Sequence, residues 1–272
     1  MKLLNGSDLA SFIKERQAKQ VRALRQAHKI LPWLAIVTNI TNPVIDVYMR
    51  LKERYGADIL IDVEVHRVDP AETLRTIETL NAREDIQAII VQLPLEDMAQ
   101  ADEVLSTVSP AKDVDGLHPE STFDAATPMA INWLLAGYGV SLPDKKIALV
   151  GRGRLVGRPL EKMWQNSGLE VTVFEKGDDL TPLREFDAIV TAAGAPHIIS
   201  SEMIQSGAVV VDAGTAMEDG VVRGDVAPDV RERDDLIITP EKGGVGPLTV
   251  AALFDNVITA CLRIANSDKS QS

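Results

Sequence analysis

Short, continuous apolar runs alternate along the chain with longer stretches in which apolar residues recur every three or four positions. The runs predict strands over Leu34–Val37, Ile59–Val65, Ala88–Leu93, Lys146–Val150, Glu170–Phe174, Asp187–Thr191, Ala208–Val211 and Leu236–Ile238. The amphipathic stretches predict helices. One follows Asn5-Gly6 with Ser7 as its N-cap and continues into a charged, solvated run from Lys14 to Arg25. Val44–Tyr55 is a second, ending near Gly56, and Pro70–Leu80 a third with proline in its first turn. Met129–Tyr138 and Leu248–Ile264 complete the set, and the polar stretch Asn266–Ser272 is expected to fray. Ser109–Pro128, rich in turn residues and without periodicity, reads as a long functional loop. Strand and helix in alternation imply crossover units and a parallel sheet, so the fold class is α/β.

With 272 residues, two domains are the first expectation, and one large α/β unit is the alternative. Charge then narrows the partners: 40 acidic against 28 basic residues leave a net charge of −12, which repels a phosphate backbone, so no nucleic-acid partner is expected. A small anion is still admitted, since backbone N–H groups at a helix start bind one locally. Cys261 is the sole cysteine, which points to a reducing, cytoplasmic setting. No signal peptide or bilayer-crossing run is read, so no membrane partner is expected. His28, His66, His118 and His197 are scattered without metal-ligand spacing, and no metal site is expected.

The strongest local motif is Gly151-Arg-Gly-Arg-Leu-Val-Gly157, which joins a strand to a helix and can lay backbone N–H groups against a pyrophosphate. A tight structural turn is the plainer alternative. Glu175 lies 22 residues after Gly153, at the end of the next strand, where a carboxylate accepts hydrogen bonds from ribose hydroxyls and favours NAD. Arg152, Arg154, Arg158 and Lys176 are near enough in sequence to hold the 2′-phosphate of NADP instead, and solvated charges at a strand end are the third reading. In the first half, Tyr48 and Lys52 share a helix face, so a ring can stack on a flat ligand while an ammonium reaches its reacting centre. Gln92 stands at a strand's carboxyl end, and Asp115 in Asp113-Val-Asp-Gly116. Taken singly these are a surface pair, a buried amide and an ordinary turn. Gly243-Gly-Val-Gly-Pro247, before the last helix, is either a close-approach loop or a connector.

Together the motifs resemble the methylenetetrahydrofolate dehydrogenase/cyclohydrolase family over roughly residues 3 to 262. Asn42-Pro43 with Tyr48 and Lys52, Val91-Gln-Leu-Pro-Leu95, Lys112-Asp-Val-Asp-Gly-Leu117 and Thr127-Pro128 are similar to its catalytic signatures. Gly151-Arg152 with Val156-Gly157, Val211-Asp-Ala-Gly214, Gly224-Asp-Val226, Ile238-Thr-Pro240 and Gly243-Gly-Val-Gly-Pro-Leu-Thr249 follow in register. The resemblance implies a folate-binding catalytic domain from residues 1–127 and 250–272, a Rossmann-like domain at 128–249, the folate cleft between them, and a homodimer in one-carbon metabolism and purine biosynthesis. It implies oxidation of methylenetetrahydrofolate by hydride transfer to NADP, with NAD admitted by Glu175, and hydrolysis of the methenyl product to formyltetrahydrofolate. Tyr48 would stack on the folate, Lys52 and Gln92 would serve catalysis, and Asp115 would bind the pterin. Leu93, Gly244, Pro247 and Thr249 would complete the folate contacts. Gly151, Arg152, Gly153, Val156, Gly157, Glu175, Lys176 and Thr215 would contact the dinucleotide. The chain departs from the family at Ile45, Gly153, Ala126 and Glu241-Lys242. A monofunctional dehydrogenase, another Rossmann dehydrogenase, and a binding relative with little turnover are the alternatives.

Overall fold

A computed structural model describes residues 2–218 and 221–270. In chain order the elements are β1 (Lys2–Leu3), α1 (Gly6–Ala23), β2 (Trp33–Thr38), α2 (Pro43–Asp58), β3 (Asp62–Arg67), α3 (Thr73–Ala82), β4 (Ala88–Val91), α4 (Ala101–Thr107) and α5 (Ala126–Gly137). Then follow β5 (Ile147–Val150), α6 (Gly157–Asn166), β6 (Val171–Phe174), β7 (Ala188–Thr191), β8 (Val209–Asp212), β9 (Ala216–Glu218), β10 (Val221–Arg223), β11 (Ile237–Ile238) and α7 (Val245–Ser270). The chain divides into two compact units, one from Phe12–Ala126 and Val250–Ser272, the other from Met1–Ser11 and Thr127–Thr249. The first residues thus belong with the second unit rather than the first, because β1 pairs in parallel with β11 there.

The first unit carries a parallel sheet in the order β3-β2-β4. β2 is buried from Leu34 to Thr38 and β4 throughout, the pattern of strands covered on both faces. Ile77, Leu80, Val104 and Leu105 pack from α3 and α4 on Ala35, Val37, Ile89 and Val91. The second unit has a six-stranded sheet, β1-β11-β8-β7-β5-β6, whose described pairings are all parallel, and a separate antiparallel pair, β9 and β10.

Several boundaries move for local reasons. Asn5, not Ser7, caps α1: its side-chain oxygen accepts the Ser7 N–H at 3.0 Å. α2 continues through Gly56, where any Cβ would sit 2.6 Å from Val63, so the glycine serves close packing rather than termination. Ile59 and Ile61 are buried, but in a turn with Leu60 at φ 65°, and the strand begins only at Asp62. α5 starts at Ala126, with Pro128 in its first turn. α7 takes in Gly246 and Pro247 at its start and continues through the expected fraying stretch to Ser270. Contrary to expectation, Val245–Ser267 is long and apolar enough to cross a membrane. It is a core helix instead: Leu248, Ala251, Phe254, Val257, Ile258 and Cys261 are all almost wholly buried.

Candidate active site

In each of the two parallel sheets the chain leaves one strand for a neighbour on one side and then crosses to the other side, and the crevice at such a reversal, outside the carboxyl ends of the strands, is where open α/β sheets bind ligands. In the first unit the reversal lies between β2 and β4. Gln92 directly follows β4, and its N–H continues the ladder to Val37 O at 2.8 Å. Its side chain is held at both ends: Oε1 accepts from Lys52 Nζ at 2.7 Å, and Nε2 donates to Leu93 O at 2.8 Å. Lys52 comes from α2, and Tyr48, one turn earlier, exposes 39% of its surface, which leaves its ring available to a flat ligand.

Asp115 arrives from the long loop, which is tightly fixed. Lys112 donates to the carbonyls of Leu80, Asn81 and Arg83 at 3.2, 2.8 and 2.6 Å, placing an ammonium on the carboxyl end of α3. Ile89 N–H bonds Lys112 O, and Ile89 and Asp113 form a parallel bridge beside β4. Buried Asn256 of α7 donates to Val114 O and Asp124 O. Gly116 has φ 72°, and a Cβ there would lie 2.8 Å from Phe123 O, so glycine is required where the loop doubles back. The result is an irregular segment held as firmly as a strand.

The electrostatics follow from burial. Lys52 and Asp115 retain some accessible surface, yet protein surrounds both head groups. Burial pulls the Lys52 ammonium below its ordinary range, and the Asp115 charge opposes that pull. Burial pushes the Asp115 carboxyl up to about 6, with Lys52 opposing and Asp113 adding to the rise. An amine that titrates below its usual range and a carboxyl that titrates above it suit proton transfer near neutrality.

In the second unit the reversal lies between β5 and β7. The Gly151 loop leaves β5 there. Gly151 has φ 95°, and a Cβ on it would meet Ala192 O at 2.6 Å. A Cβ on Gly157 would stand 2.1 Å from Gly151 O. A side chain at Gly153 would point into open space, so the steric glycines are Gly151 and Gly157, and Gly153 is not one of them. α6 begins at Gly157 without a side-chain cap, which leaves its first turn suited to a pyrophosphate. Arg152 is engaged by Glu161 and by Glu175, and Lys176 and Thr215 are exposed.

The chain matches two domain models of one known family. Residues 4–115 match the tetrahydrofolate dehydrogenase/cyclohydrolase catalytic domain, and residues 125–265 match the NAD(P)-binding domain of the same enzymes. The chain belongs to the tetrahydrofolate dehydrogenase/cyclohydrolase family. It is 38% identical to the bifunctional protein FolD of Lacticaseibacillus paracasei, with 91% of this chain and 93% of that protein covered. The crystal structure of the bifunctional FolD methylenetetrahydrofolate dehydrogenase/cyclohydrolase from Campylobacter jejuni is 33% identical, with a TM-score of 0.90 over 97% of this chain and 99% of that one. The FolD of Trypanosoma brucei, complexed with NADP cofactor and inhibitor, is 29% identical with a TM-score of 0.90, over 96% and 97%.

Within this tetrahydrofolate dehydrogenase/cyclohydrolase chain, Lys52 and Gln92 bond directly, with Asp115 near enough to shift the lysine, and all three lie in the first unit with Tyr48 and Leu93. Gly244, Pro247 and Thr249 lie in the second unit, where Thr249 Oγ1 bonds Thr127 Oγ1 at 3.4 Å and Val245 O at 3.3 Å. Reasoning on single motifs misses the residues that hold the site. Buried Asp225 accepts from Thr191 Oγ1 and from the N–H groups of Ala193 and Ala195 at 2.6 to 2.8 Å, fixing the loop after β7. Asp212 accepts from the N–H groups of Gly214, Asp225 and Val226 and from Arg231 Nη2 at 2.8 Å. A Cβ on Gly214 would strike the Asp225 carboxyl and one on Gly224 the Asp212 carboxyl, both at 2.1 Å. Each acid therefore occupies the space left by the other motif's glycine. The signal lay in Val211-Asp-Ala-Gly214 and Gly224-Asp-Val226 read as a pair.

Proposed function

We propose that this chain oxidises 5,10-methylenetetrahydrofolate to the 5,10-methenyl form by hydride transfer to a nicotinamide dinucleotide, and hydrolyses that product to 10-formyltetrahydrofolate. The observation that carries this reading is the Lys52–Gln92 bond of 2.7 Å with Asp115 beside it, in a chain whose other unit holds a glycine cradle fitted to a pyrophosphate.

The reacting carbon of the substrate lies between two nitrogens, so the positive charge left by the departing hydride is delocalised and the protein's main task is alignment. Tyr48 stacks on the flat part of the folate, and Asp115, ionised above pH about 6, accepts N–H bonds from the pterin. Gly151, Arg152, Gly153, Val156 and Gly157, with Glu175, Lys176 and Thr215, hold the dinucleotide, whose nicotinamide accepts the hydride when bound. Hydrolysis then adds a water oxygen to the methenyl carbon as that water loses a first proton, breaks the bond to N5 as N5 takes a second, and forms the formyl C=O as the added hydroxyl loses its remaining proton to solvent. Lys52, its amine made easier to deprotonate by burial, takes the first proton and returns the second. Gln92 accepts the Lys52 N–H and fixes where the lysine stands. Leu93 completes the folate contacts of the first unit.

The same reading makes the enzyme a cytosolic homodimer, with the free Cys261 buried and its thiol pushed up by burial to about 12, away from reactive chemistry. The test is incubation of the purified chain with 5,10-methylenetetrahydrofolate and either dinucleotide. Reduced nicotinamide is expected, and its absence with both dinucleotides refutes the dehydrogenase.

A further inference from the structure

Arg152, the one charged residue inside the glycine loop besides Arg154, is not oriented as a free phosphate receptor. Glu161, on α6 and with only 13% of its side chain exposed, takes Arg152 by both oxygens: Nε donates to Oε2 at 2.8 Å and Nη2 to Oε1 at 3.3 Å. That two-point grip fixes the plane of the guanidinium. The remaining nitrogen, Nη1, donates to Glu175 Oε1 at 3.3 Å. Every nitrogen of the cation is thereby committed to a carboxylate. Glu175 itself follows β6, whose carboxyl end is where a dinucleotide's adenosine ribose rests in sheets of this kind. Its N–H is taken by Asp178 Oδ2 at 2.7 Å, which adds a further carboxylate at the strand end.

We propose that Glu161 and Glu175 are specificity-determining residues that make this enzyme select NAD over NADP. The inference rests on the dinucleotide reading above. A ribose with both hydroxyls free donates to Glu175 and leaves the Arg152 grip intact. A 2′-phosphate placed there meets Glu175 and Asp178 with like charge and has to win Arg152 from two carboxylates. Lys176 and Arg158 are exposed cations of the same region, but neither is placed by a bond to the strand end as Glu175 is by Arg152.

Calorimetric titration of the intact enzyme with 5′-AMP and with 2′,5′-ADP, which differ only by the 2′-phosphate, reads this selection without turnover, and kcat/KM for NAD and NADP reads it with turnover. The wild type is expected to bind 5′-AMP about tenfold or more tightly than 2′,5′-ADP, as one or two like charges near a surface dictate. Glu175→Gln keeps the shape and removes the charge; it is expected to shrink that ratio several-fold by improving 2′,5′-ADP binding. Glu161→Gln in addition releases Arg152 and shrinks the ratio further. Because Glu175 is 58% exposed, its single variant decides the matter if the Glu161 variant does not fold. Tighter binding of 2′,5′-ADP by the wild type, or a ratio unmoved by Glu175→Gln, overturns the proposal while leaving the dehydrogenase reading in place. Binding of neither nucleotide removes the dinucleotide reading and this inference with it.

Discussion

Replacement of Asp115 by asparagine separates the charge of this group from its shape. Its carboxyl titrates at about 6, and an ordinary aspartate near 4, so the charged form is disfavoured in the fold by about 3 kcal/mol at neutral pH. The sign is fixed by proton counting. Between the unfolded and folded values the folded chain binds the extra proton, so this group's contribution to stability is greatest below pH about 4, is lost as pH rises, and is gone above about 6. Asparagine carries no such dependence. In urea titrations at pH 4.5 and pH 7.5, the stability of Asp115→Asn relative to wild type is therefore expected to improve by about 2 kcal/mol at the higher pH. Activity has the opposite demand under the proposed function, in which the carboxylate binds the pterin. Wild-type dehydrogenase kcat/KM is expected to fall about tenfold from its plateau by pH 5, and the variant to be lower throughout and flat over that range. The variant also takes from Lys52 the charge that raises its pKa, so the lysine's titration moves further down. A wild-type profile level to pH 5, or an acid limb surviving in Asp115→Asn, refutes the assignment of that limb to Asp115.

Three further outcomes follow from the supports of the site. Asp225→Ala leaves three donors without their acceptor and is expected to cost about 3 kcal/mol in urea titration and to weaken dinucleotide binding; unchanged affinity contradicts its place in holding the loop after β7. Gly157→Ala puts a methyl 2.1 Å from Gly151 O and is expected to weaken ADP binding by about tenfold or more, measured by calorimetry. Gly153→Ala, facing open space, is expected to change thermal stability by no more than about 0.5 kcal/mol; a large loss would show that the loop is packed there after all.

The parts of the fold that were legible from the chain are those whose environment imposes a repeating pattern. β2, β4, β5 and β7 are covered on both faces, so each reads as an unbroken apolar run. β1 has two residues and β9 and β10 three each, too few for any period to show; they exist because a neighbouring strand offers a pairing edge. Ile59–Ile61 is as apolar as a strand but is folded into a turn, because burial can be satisfied without extension. Tyr48, Lys52, Gln92 and Asp115, the residues of the proposed site, are ordinary singly and stand out in the chain only as a set, through the family resemblance. The residues that hold them do not stand out. Lys112 works through backbone carbonyls some thirty positions earlier, and Asn256 through a loop over a hundred residues away, contacts that only the folded topology creates. Glu161 shows the same limit, as an ordinary acidic residue of α6 until Arg152 is seen lying across it.

The most direct test of a single catalytic site running both reactions is to follow reduced nicotinamide and the methenyl form together in one time course, with wild type and Lys52→Met. The wild type is expected to reduce the dinucleotide while the methenyl form decays to product. Lys52→Met, folded by circular dichroism, is expected to accumulate the methenyl form, with its hydrolysis slowed by about 100-fold or more while hydride transfer falls far less. Full hydrolytic turnover in that variant, or no nicotinamide reduction by the wild type, contradicts the account.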